Sequence, residues 1–196
     1  MKDRIDRRIF GYTVLCDDSY YKIFSGWCQK MYDWEFPKEE LTFSSGIIPA
    51  LYQFVEDLVK DDEKVLMTTP SYGFFQHAAE YSGKEYVCSS LRRDEDDTYT
   101  IDFDDFARKA ADPKMKLVIW CNPHNPTGRV WTADELKRVA DIVEANDLWI
   151  ISDEIHCDLL RSGVRHIPMA KIMDTYPKLI TCMSASKTFN LAGLMF

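Results

Sequence analysis

Apolar and polar positions along the chain change their spacing several times, and these changes predict strands and helices in turn. Short apolar runs predict strands, and the continuous run KLVIWCN at 116–122 is typical of a strand covered on both faces. Such alternation favours an α/β fold in which a mainly parallel sheet carries helices on both faces. The predicted strands are 41–44, 65–69, 85–91, 116–122, 148–152 and 179–185, and the predicted helices are 19–33, 48–60, 73–82, 102–111, 132–146 and 168–175.

Local signals mark the starts of several helices. Ser19 is placed to cap the first predicted helix, and Pro49 suits the first turn of the second, where a proline is tolerated. Thr132 and Glu135 form a capping-box pattern that predicts a helix start. Residues 92–105 are rich in charge, and we expect them to form a solvated connector rather than a metal site.

Composition and charge exclude several classes of protein. The chain has 196 residues, 46% of them apolar and 13% aromatic, which is enough for a substantial single core. No apolar stretch approaches the roughly 20 residues that a membrane span needs. Residues 1–10 mix Lys and Arg with Asp, unlike a secretory signal or a transit peptide. The net charge of -8 without a basic stripe argues against nucleic acid as a partner.

The six cysteines are scattered and contain no CxxC pair. Three of them lie in predicted strands, where a free thiol behaves as a small apolar residue. We therefore expect reduced thiols and a cytoplasmic location. His156 and Cys157 are adjacent, but nothing nearby has the spacing of metal ligands, so we expect no metal site.

Residues that can carry chemistry follow the ends of the predicted strands. In open parallel sheets the ligand lies beyond the carboxyl ends of the strands, so we expect these residues to converge on one place. They are Gly46, Tyr72, the segment NPHNPTG at 122–128, Asp153 and Lys187.

Lys187 follows the apolar run 179–185 and is flanked by hydroxyl residues. Burial at such a position would lower the pKa of its amine and make it a nucleophile toward an aldehyde. The segment Ser184–Lys187 also matches the S-x-x-K pattern of serine acyl-enzymes. That pattern opens a helix and is joined by SDN and KTG motifs, whereas here it follows a predicted strand and neither motif is present.

An aromatic aldehyde cofactor with a phosphate arm would explain the other residues. Asp153 can keep a pyridine nitrogen protonated and so maintain an electron sink. Asn125 can donate to a ring oxygen, and Tyr72 can stack on the ring. Each has a simpler explanation when read alone: a helix cap or buried ion pair for Asp153, a turn for Asn125 and a core aromatic for Tyr72.

The phosphate arm has its own candidate partners. Gly46 precedes a predicted helix, so the amides of Ile47 and Ile48 can bind an anion at the helix N-terminus. The hydroxyls of Ser184 and Ser186 can donate to the same group.

These motifs together resemble the fold-type I, pyridoxal-phosphate-dependent class I/II aminotransferase family, and more narrowly its cystathionine β-lyase-like (C–S lyase) branch. The combination of NPHNPTGRVW with SDEIH favours that branch over transaminases. The resemblance is carried by IFGYT (9–13), SSGIIPAL (44–51), TPSYGFF (69–75), CNPHNPTGRVW (121–131), SDEIHCDL (152–159) and SASKTFNLAGL (184–194).

The resemblance implies a role for each matched residue. Lys187 would bond covalently to pyridoxal 5'-phosphate, and Asp153 would pair with its pyridine nitrogen. Asn125 would donate to the ring oxygen and Tyr72 would stack on the ring, while Ile47, Ile48 and Ser184 would contact the phosphate. His156 stands where many aminotransferase relatives have a tyrosine.

The resemblance also implies a reaction and a partner. The reaction would be a β-elimination on a small sulfur-containing amino acid such as cystathionine, giving a thiol, pyruvate and ammonia. Tyr12 would reach the phosphate of a neighbouring subunit, which implies a homodimer with shared active sites.

The chain departs from the family pattern in length and at one position. Family subunits are about twice as long, so we expect an N-terminal arm segment at 1–18 and an incomplete cofactor-binding large domain at 19–196, with the C-terminal small domain absent. A segment before IFGYT is also expected to be absent. Met195 stands where many aminotransferase relatives have a phosphate-binding arginine.

Two alternatives to the lyase stay open: an aminotransferase on the same scaffold and an inactive fragment of either enzyme. A dinucleotide enzyme is disfavoured because the eight glycines contain no GxGxxG pattern.

Overall fold

The computed structural model describes residues 2–11 and 17–194, with the side chain of residue 194 left out. Two sequence-based predictions, those on Tyr12 and Met195, therefore lie outside the described residues. The chain forms two compact units, Met1–Phe43 and Ser44–Phe196. This division falls later than the boundary expected between residues 18 and 19, and the predicted domain division stays a prediction.

In the first unit the described residues form two helices and a short 3-10 turn: α1 at Lys2–Asp6, α2 at Asp18–Tyr32 and the turn at Lys38–Glu40. Asp17 caps α2, because its Oδ1 accepts from the backbone N–H of Tyr20 at 2.8 Å. The prediction that Ser19 is the cap is wrong: its hydroxyl donates to the same Asp17 oxygen at 2.7 Å. A carboxylate at the cap position satisfies the orphan amides and complements the helix dipole.

Residues 41–44 are irregular, so the strand predicted there is wrong. The ring of Phe43 instead packs edge-on against Tyr20 of α2, with 4.4 Å between centroids. An apolar composition alone therefore did not make this segment a strand, because strand preference depends on the packing context.

The second unit contains a five-stranded parallel sheet in the order β2-β1-β5-β6-β7. A small antiparallel hairpin, β3–β4, lies outside this sheet. The strands are β1 (Lys64–Thr69), β2 (Glu85–Ser90), β3 (Arg92–Arg93), β4 (Tyr99–Thr100), β5 (Met115–Cys121), β6 (Trp149–Asp153) and β7 (Leu179–Cys182). The helices are α3 (Ile47–Leu58), α4 (Gly73–Tyr81), α5 (Phe103–Ala110), α6 (Ala133–Ala145), α7 (Met169–Ile172) and α8 (Ala185–Thr188), and a 3-10 turn follows at Ala192–Leu194.

Helices cover both faces of the sheet, so the predicted fold class is confirmed. On one face α5, α6 and α7 pack over sheet residues such as Trp120 and Ile150. On the other face α3 and α4 pack over sheet residues such as Ile119 and Ile151. Since side chains alternate across a strand, each central strand contributes to both cores, which is why its sequence is continuously apolar.

The capping box at Thr132 is confirmed. Its Oγ1 accepts from the backbone N–H of Glu135 at 3.2 Å, and Glu135 Oε2 accepts from the Thr132 N–H at 2.8 Å. No helix among the residues that the structure describes is long and apolar enough to cross a membrane.

Besides the strand predicted at 41–44, three predicted elements differ from the structure. The strand predicted at 179–185 ends at Cys182, because Ser184 caps α8 and the chain leaves the sheet there. The helix predicted at 168–175 is only the single turn α7. The connector at 92–105 is not uniformly irregular: it contains the β3–β4 hairpin and the start of α5, where the Asp102 side chain accepts from the Asp105 N–H at 3.1 Å.

Candidate functional site

Four adjacent parallel strands end at the same edge of the sheet, and the candidate residues follow them. Tyr72 follows β1, the loop 122–128 follows β5, Asp153 ends β6, and Lys187 follows β7. Gly46 follows no strand, so the expected convergence of five strand ends is a convergence of four. The residues nevertheless lie where open parallel sheets place their ligands.

Asp153 lies in the middle of this edge. In sheet register it sits between Cys121 of β5 and Cys182 of β7. It shares a face with Ile151, two residues earlier, and therefore points to the side covered by α3 and α4. Both flanking thiols are buried, and burial raises the pKa of Cys182 to about 12. The neighbours of Asp153 in the sheet are thus uncharged.

Asp153 is 6% exposed, and its Oδ1 accepts a hydrogen bond from the backbone N–H of Ile155 at 3.2 Å. Burial is the main cause that raises the pKa of Asp153 to about 6. The Ile155 hydrogen bond opposes this rise, the charge of Glu154 adds to it, and the charge of Lys187 opposes it. Within the described part of the chain no cation forms a salt bridge with Asp153, and a turn rather than a helix follows it at residues 155–158. Neither a buried ion pair nor a helix cap therefore explains this carboxylate.

Glu154, the next residue, is a buried carboxylate that sequence reasoning missed. Its Oε1 accepts from Ser152 Oγ and from the Met169 backbone N–H, both at 2.8 Å. Its Oε2 lies 2.6 Å from His166 Nε2, and both side chains are fully buried. This carboxylate joins the end of β6 to the start of α7. Sequence offered no signal for the pairing with His166 and Met169, because these residues lie 12 and 15 positions away.

Lys187 is exposed, so the expectation that it is buried is wrong. It lies in the one-turn helix α8, whose cap Ser184 accepts from the Ser186 N–H at 3.1 Å. The hydroxyl of Thr188 donates to Asp158 Oδ2 at 2.7 Å and anchors the end of the turn. Because β7 ends early, the chain turns outward before it reaches the lysine.

The Lys187 charge still acts on the rest of the site. It lowers the pKa of Asp153, and after burial it is the second cause that lowers the pKa of the half-buried His156. An amine, a carboxylate and an uncharged imidazole therefore lie within electrostatic reach of one another. Since the Ser184–Lys187 segment does open a helix, the case against a serine acyl-enzyme rests on the missing SDN and KTG motifs.

Asn125 belongs to a loop that is held more firmly than a simple turn. Its backbone N–H donates to Cys121 Sγ at 3.3 Å, and that thiol donates to the Pro123 carbonyl at 3.3 Å. Asn122 Nδ2 donates to the Ile167 carbonyl at 2.9 Å. The half-buried Asn125 is thus attached to the end of β5 on the same side of the sheet as Asp153.

Tyr72 is 37% exposed and is therefore not a core aromatic. Its ring lies 5.3 Å from the ring of Phe74 and 5.9 Å, edge-on, from the ring of Phe75. Phe75 is buried in the core, whereas Phe74 is itself exposed. The Tyr72 ring consequently has aromatic support and an accessible surface.

The amino end of α3 offers backbone donors. Gly46, at φ 135°, precedes the helix and provides no side-chain cap, so the amides of Ile47 and Ile48 point beyond the first turn without an intrahelical acceptor. Pro49 has no N–H to satisfy. Ser186 is buried and Ser184 half-buried at the start of α8.

The side chains and amides present fit the cofactor expected from the sequence. Asp153 is a desolvated carboxylate that a ring cation would neutralise, and the α3 amides suit a phosphate. Two further buried oxygens near these strand ends, Ser71 Oγ and Asn122 Oδ1, have no hydrogen-bond partner among the described residues. In the same part of the chain no group of three His, Cys, Asp or Glu residues could hold a metal ion.

The fold is that of an α/β protein, and its candidate ligand site lies at the carboxyl edge of a parallel sheet. The family model for aminotransferases of class I and II matches residues 15–195, and the chain belongs to that family. The family and the likeness to the C–S lyase branch that the motifs indicated are confirmed. The individual site residues stay predictions: Tyr12, Ile47, Ile48, Tyr72, Asn125, Asp153, His156, Ser184, Ser186 and Lys187.

Similar proteins include C–S lyases. Cystathionine beta-lyase PatB of Bacillus subtilis is 37% identical over 195 residues, which are 99% of this chain and 50% of that protein. The PLP-bound C–S lyase of Staphylococcus hominis has a TM-score of 0.95 and 46% identity, over 99% of this chain and 49% of that one. Cystalysin of Treponema denticola, whose structure contains pyridoxal 5'-phosphate, has a TM-score of 0.94 and 33% identity, over 99% of this chain and 49% of that one. The chain spans about half the length of these relatives.

Proposed function

We propose that the chain contributes the cofactor-binding half of a pyridoxal-phosphate-dependent C–S β-lyase. The observation that carries the proposal is the buried Asp153 carboxylate, which lies at the carboxyl edge of the sheet with its pKa raised to about 6 and the charge of Lys187 nearby. A cationic ring nitrogen would restore the ionised form of Asp153, since an opposite charge favours a buried carboxylate. The similarity to PatB and to the C–S lyase of Staphylococcus hominis supports the same activity.

The residues divide the work as follows. Asp153 would hold the proton of the ring nitrogen, Asn125 would donate to the ring oxygen, and Tyr72 would stack on the ring. The amides of Ile47 and Ile48 would bind the phosphate, and Ser184 and Ser186 would add hydroxyl donors to it. His156 stays uncharged, because burial and the Lys187 charge lower its pKa.

Lys187 supplies the reactive amine. Its amine would hold the cofactor covalently, and the free amine would take the proton from the substrate Cα as general base. Bound pyridoxal phosphate supplies an electron sink for the resulting negative charge. Loss of a thiolate from Cβ of a small sulfur-containing amino acid, followed by hydrolysis, gives a thiol, pyruvate and ammonia.

We further propose a cytoplasmic homodimer with shared active sites. The dimer follows from the family resemblance of Tyr12, and size-exclusion chromatography with light scattering tests it. Cys88, Cys121 and Cys182 are free thiols, which is typical of a reducing compartment.

Reductive trapping tests the central assignment. The purified chain is mixed with pyridoxal phosphate, reduced with borohydride and digested, and the peptides are analysed by mass spectrometry. We expect one adduct, on the peptide that carries Lys187, with none in Lys187→Ala and an unchanged yield in the surface control Lys137→Ala. An adduct that persists in Lys187→Ala, or none at all in the wild-type chain, would refute the proposal.

An aminotransferase remains the second candidate, because the matching family model itself describes aminotransferases. Release of pyruvate from cystathionine alone supports the lyase. Repeated amino transfer that needs an added keto acid supports the transaminase. If the chain traps the cofactor but catalyses neither reaction, it is an inactive partial subunit.

A further inference from the structure

His124 is a buried histidine inside the loop that carries Asn125, and the proposed function gives it no role. Its side chain is almost completely enclosed, with 2% of the residue exposed. Its Nδ1 lies 2.8 Å from the hydroxyl of Thr127 in the same loop. Its Nε2 lies 3.4 Å from the hydroxyl of Thr68, which is buried in β1. The ring thus contacts one hydroxyl on the loop and one on the strand.

Both contacts are compatible with an uncharged ring, which has one donor nitrogen and one acceptor nitrogen. Burial is the main cause that lowers the pKa of His124 to about 4, and the positive charge of Arg129 lowers it further. The ring is therefore neutral near pH 7. One threonine hydroxyl can donate to the acceptor nitrogen while the other threonine hydroxyl accepts from the donor nitrogen, so both hydrogen bonds can form together.

The surrounding chain holds the ring in place. The His124 backbone N–H donates to the Arg129 carbonyl at 2.7 Å, and the His124 carbonyl accepts from the Gly128 N–H at 2.8 Å. The Trp131 ring meets the imidazole edge-on, with 5.5 Å between centroids. His124 therefore has a fixed backbone and a packed side chain, which restricts its rotamer.

The two segments joined by this ring each carry a proposed cofactor contact. Asn125 follows His124 directly, and Tyr72 lies four residues after Thr68, just beyond the end of β1. Asn125 is proposed to meet the edge of the cofactor ring and Tyr72 its face. A rigid link between their segments would therefore fix the distance between Asn125, the proposed donor at the ring edge, and Tyr72, the proposed contact on the ring face.

We propose that His124 is a positioning residue of the cofactor site, which fixes the Asn125 loop against the strand that leads to Tyr72. The proposal rests on the proposed function, because it concerns the same site. It does not place His124 in contact with cofactor or substrate. Its role is carried by the hydrogen bond across to Thr68.

Two amide substitutions separate the contacts of the ring. His124→Asn places a polar group near the position of Nδ1 and retains the Thr127 contact. His124→Gln reaches the position of Nε2 and retains the Thr68 contact. On the strand side Thr68→Val removes the hydroxyl at similar volume, while Thr68→Ser retains it. All variants are compared with the wild-type chain at equal foldedness, checked by thermal unfolding.

The main readout is the dissociation constant of pyridoxal phosphate, followed by its absorption band. We expect a rise of about tenfold for His124→Asn and for Thr68→Val, the effect of one buried hydrogen bond. The Gln and Ser variants should stay within about twofold of wild type. Wild-type affinity and band position in folded His124→Asn and Thr68→Val would overturn the proposal.

A second readout needs no cofactor and separates this proposal from the proposed function. Amide hydrogen exchange of residues 122–129 should be faster in His124→Asn and Thr68→Val than in the Gln and Ser variants. If the wild-type chain binds no cofactor, the proposed function fails and exchange alone decides whether the link exists. Equal exchange in all four variants would then refute the link.

Discussion

Replacing Asp153 with asparagine should stabilise the cofactor-free chain at neutral pH. Asparagine has the same shape and can still accept the hydrogen bond from the Ile155 N–H, but it carries no charge to desolvate. The carboxylate has no salt-bridge partner among the described residues. Removing its charge therefore removes a cost and sacrifices little in the cofactor-free protein.

The size and sign follow from the raised pKa. Asp153 titrates at about 6 in the folded chain instead of the ordinary 3.8, so the folded chain binds this proton more tightly than the unfolded chain does. The stability that this proton contributes is fully present below about pH 3.8, and it is lost as pH rises through about 6. The difference between the two values corresponds to about 3 kcal/mol.

Urea unfolding of the cofactor-free chain at several pH values between 4 and 7.5 measures the effect, with tryptophan fluorescence as the probe. We expect the free energy of unfolding of Asp153→Asn, relative to wild type, to rise by about 2 kcal/mol from pH 4 to pH 7, because part of the full difference is already lost at pH 4. Asp61→Asn is the control, because the hydrogen bond from Lys84 lowers the pKa of that exposed carboxyl and its difference should have the opposite sign. A pH-independent difference for Asp153→Asn would refute the reasoning.

Two further substitutions test the scaffold behind the site. Glu154→Ala leaves the donors of Ser152, Met169 and His166 without their buried acceptor, so it should lower the free energy of unfolding by about 3–5 kcal/mol. Glu154→Gln should cost clearly less, and equal unfolding midpoints for the two variants in urea would contradict this. Thr132→Ala removes the capping box of α6 and should cost about 1 kcal/mol, whereas Thr132→Ser should restore most of it. A thermal melt compares them, and an Ala variant as stable as wild type would show that the cap contributes nothing.

The expected stabilisation by Asp153→Asn means that a residue needed for the proposed chemistry lowers the stability of the fold. A carboxylate that would hold a ring cation must be desolvated before the cation arrives, and that desolvation lowers the stability of the empty protein. Asp153 is flanked by two thiols in the sheet rather than by a cation, so the cost of burying its charge is not offset in the empty protein.

Most elements of the second unit were predictable because their signals are local. The run KLVIWCN became β5, and Thr132 with Glu135 formed the expected box, because period and capping depend on residues close in sequence. The wrong predictions at residues 41–44 and at Ser19 also have physical reasons. Residues 41–44 have the composition of a strand, yet they are irregular and Phe43 packs against α2. Asp17 rather than Ser19 caps α2.

The order of motifs along the sequence determined the α/β class, the family and the candidate residues, since each motif carries its chemistry in adjacent positions. Tertiary structure alone decided how those residues behave. It placed Asp153 between two buried thiols, joined Glu154 to His166 and His124 to Thr68, and left Lys187 exposed. Burial, and the partner that a polar group meets across the sheet, depend on segments far apart in the chain, and no local pattern encodes them.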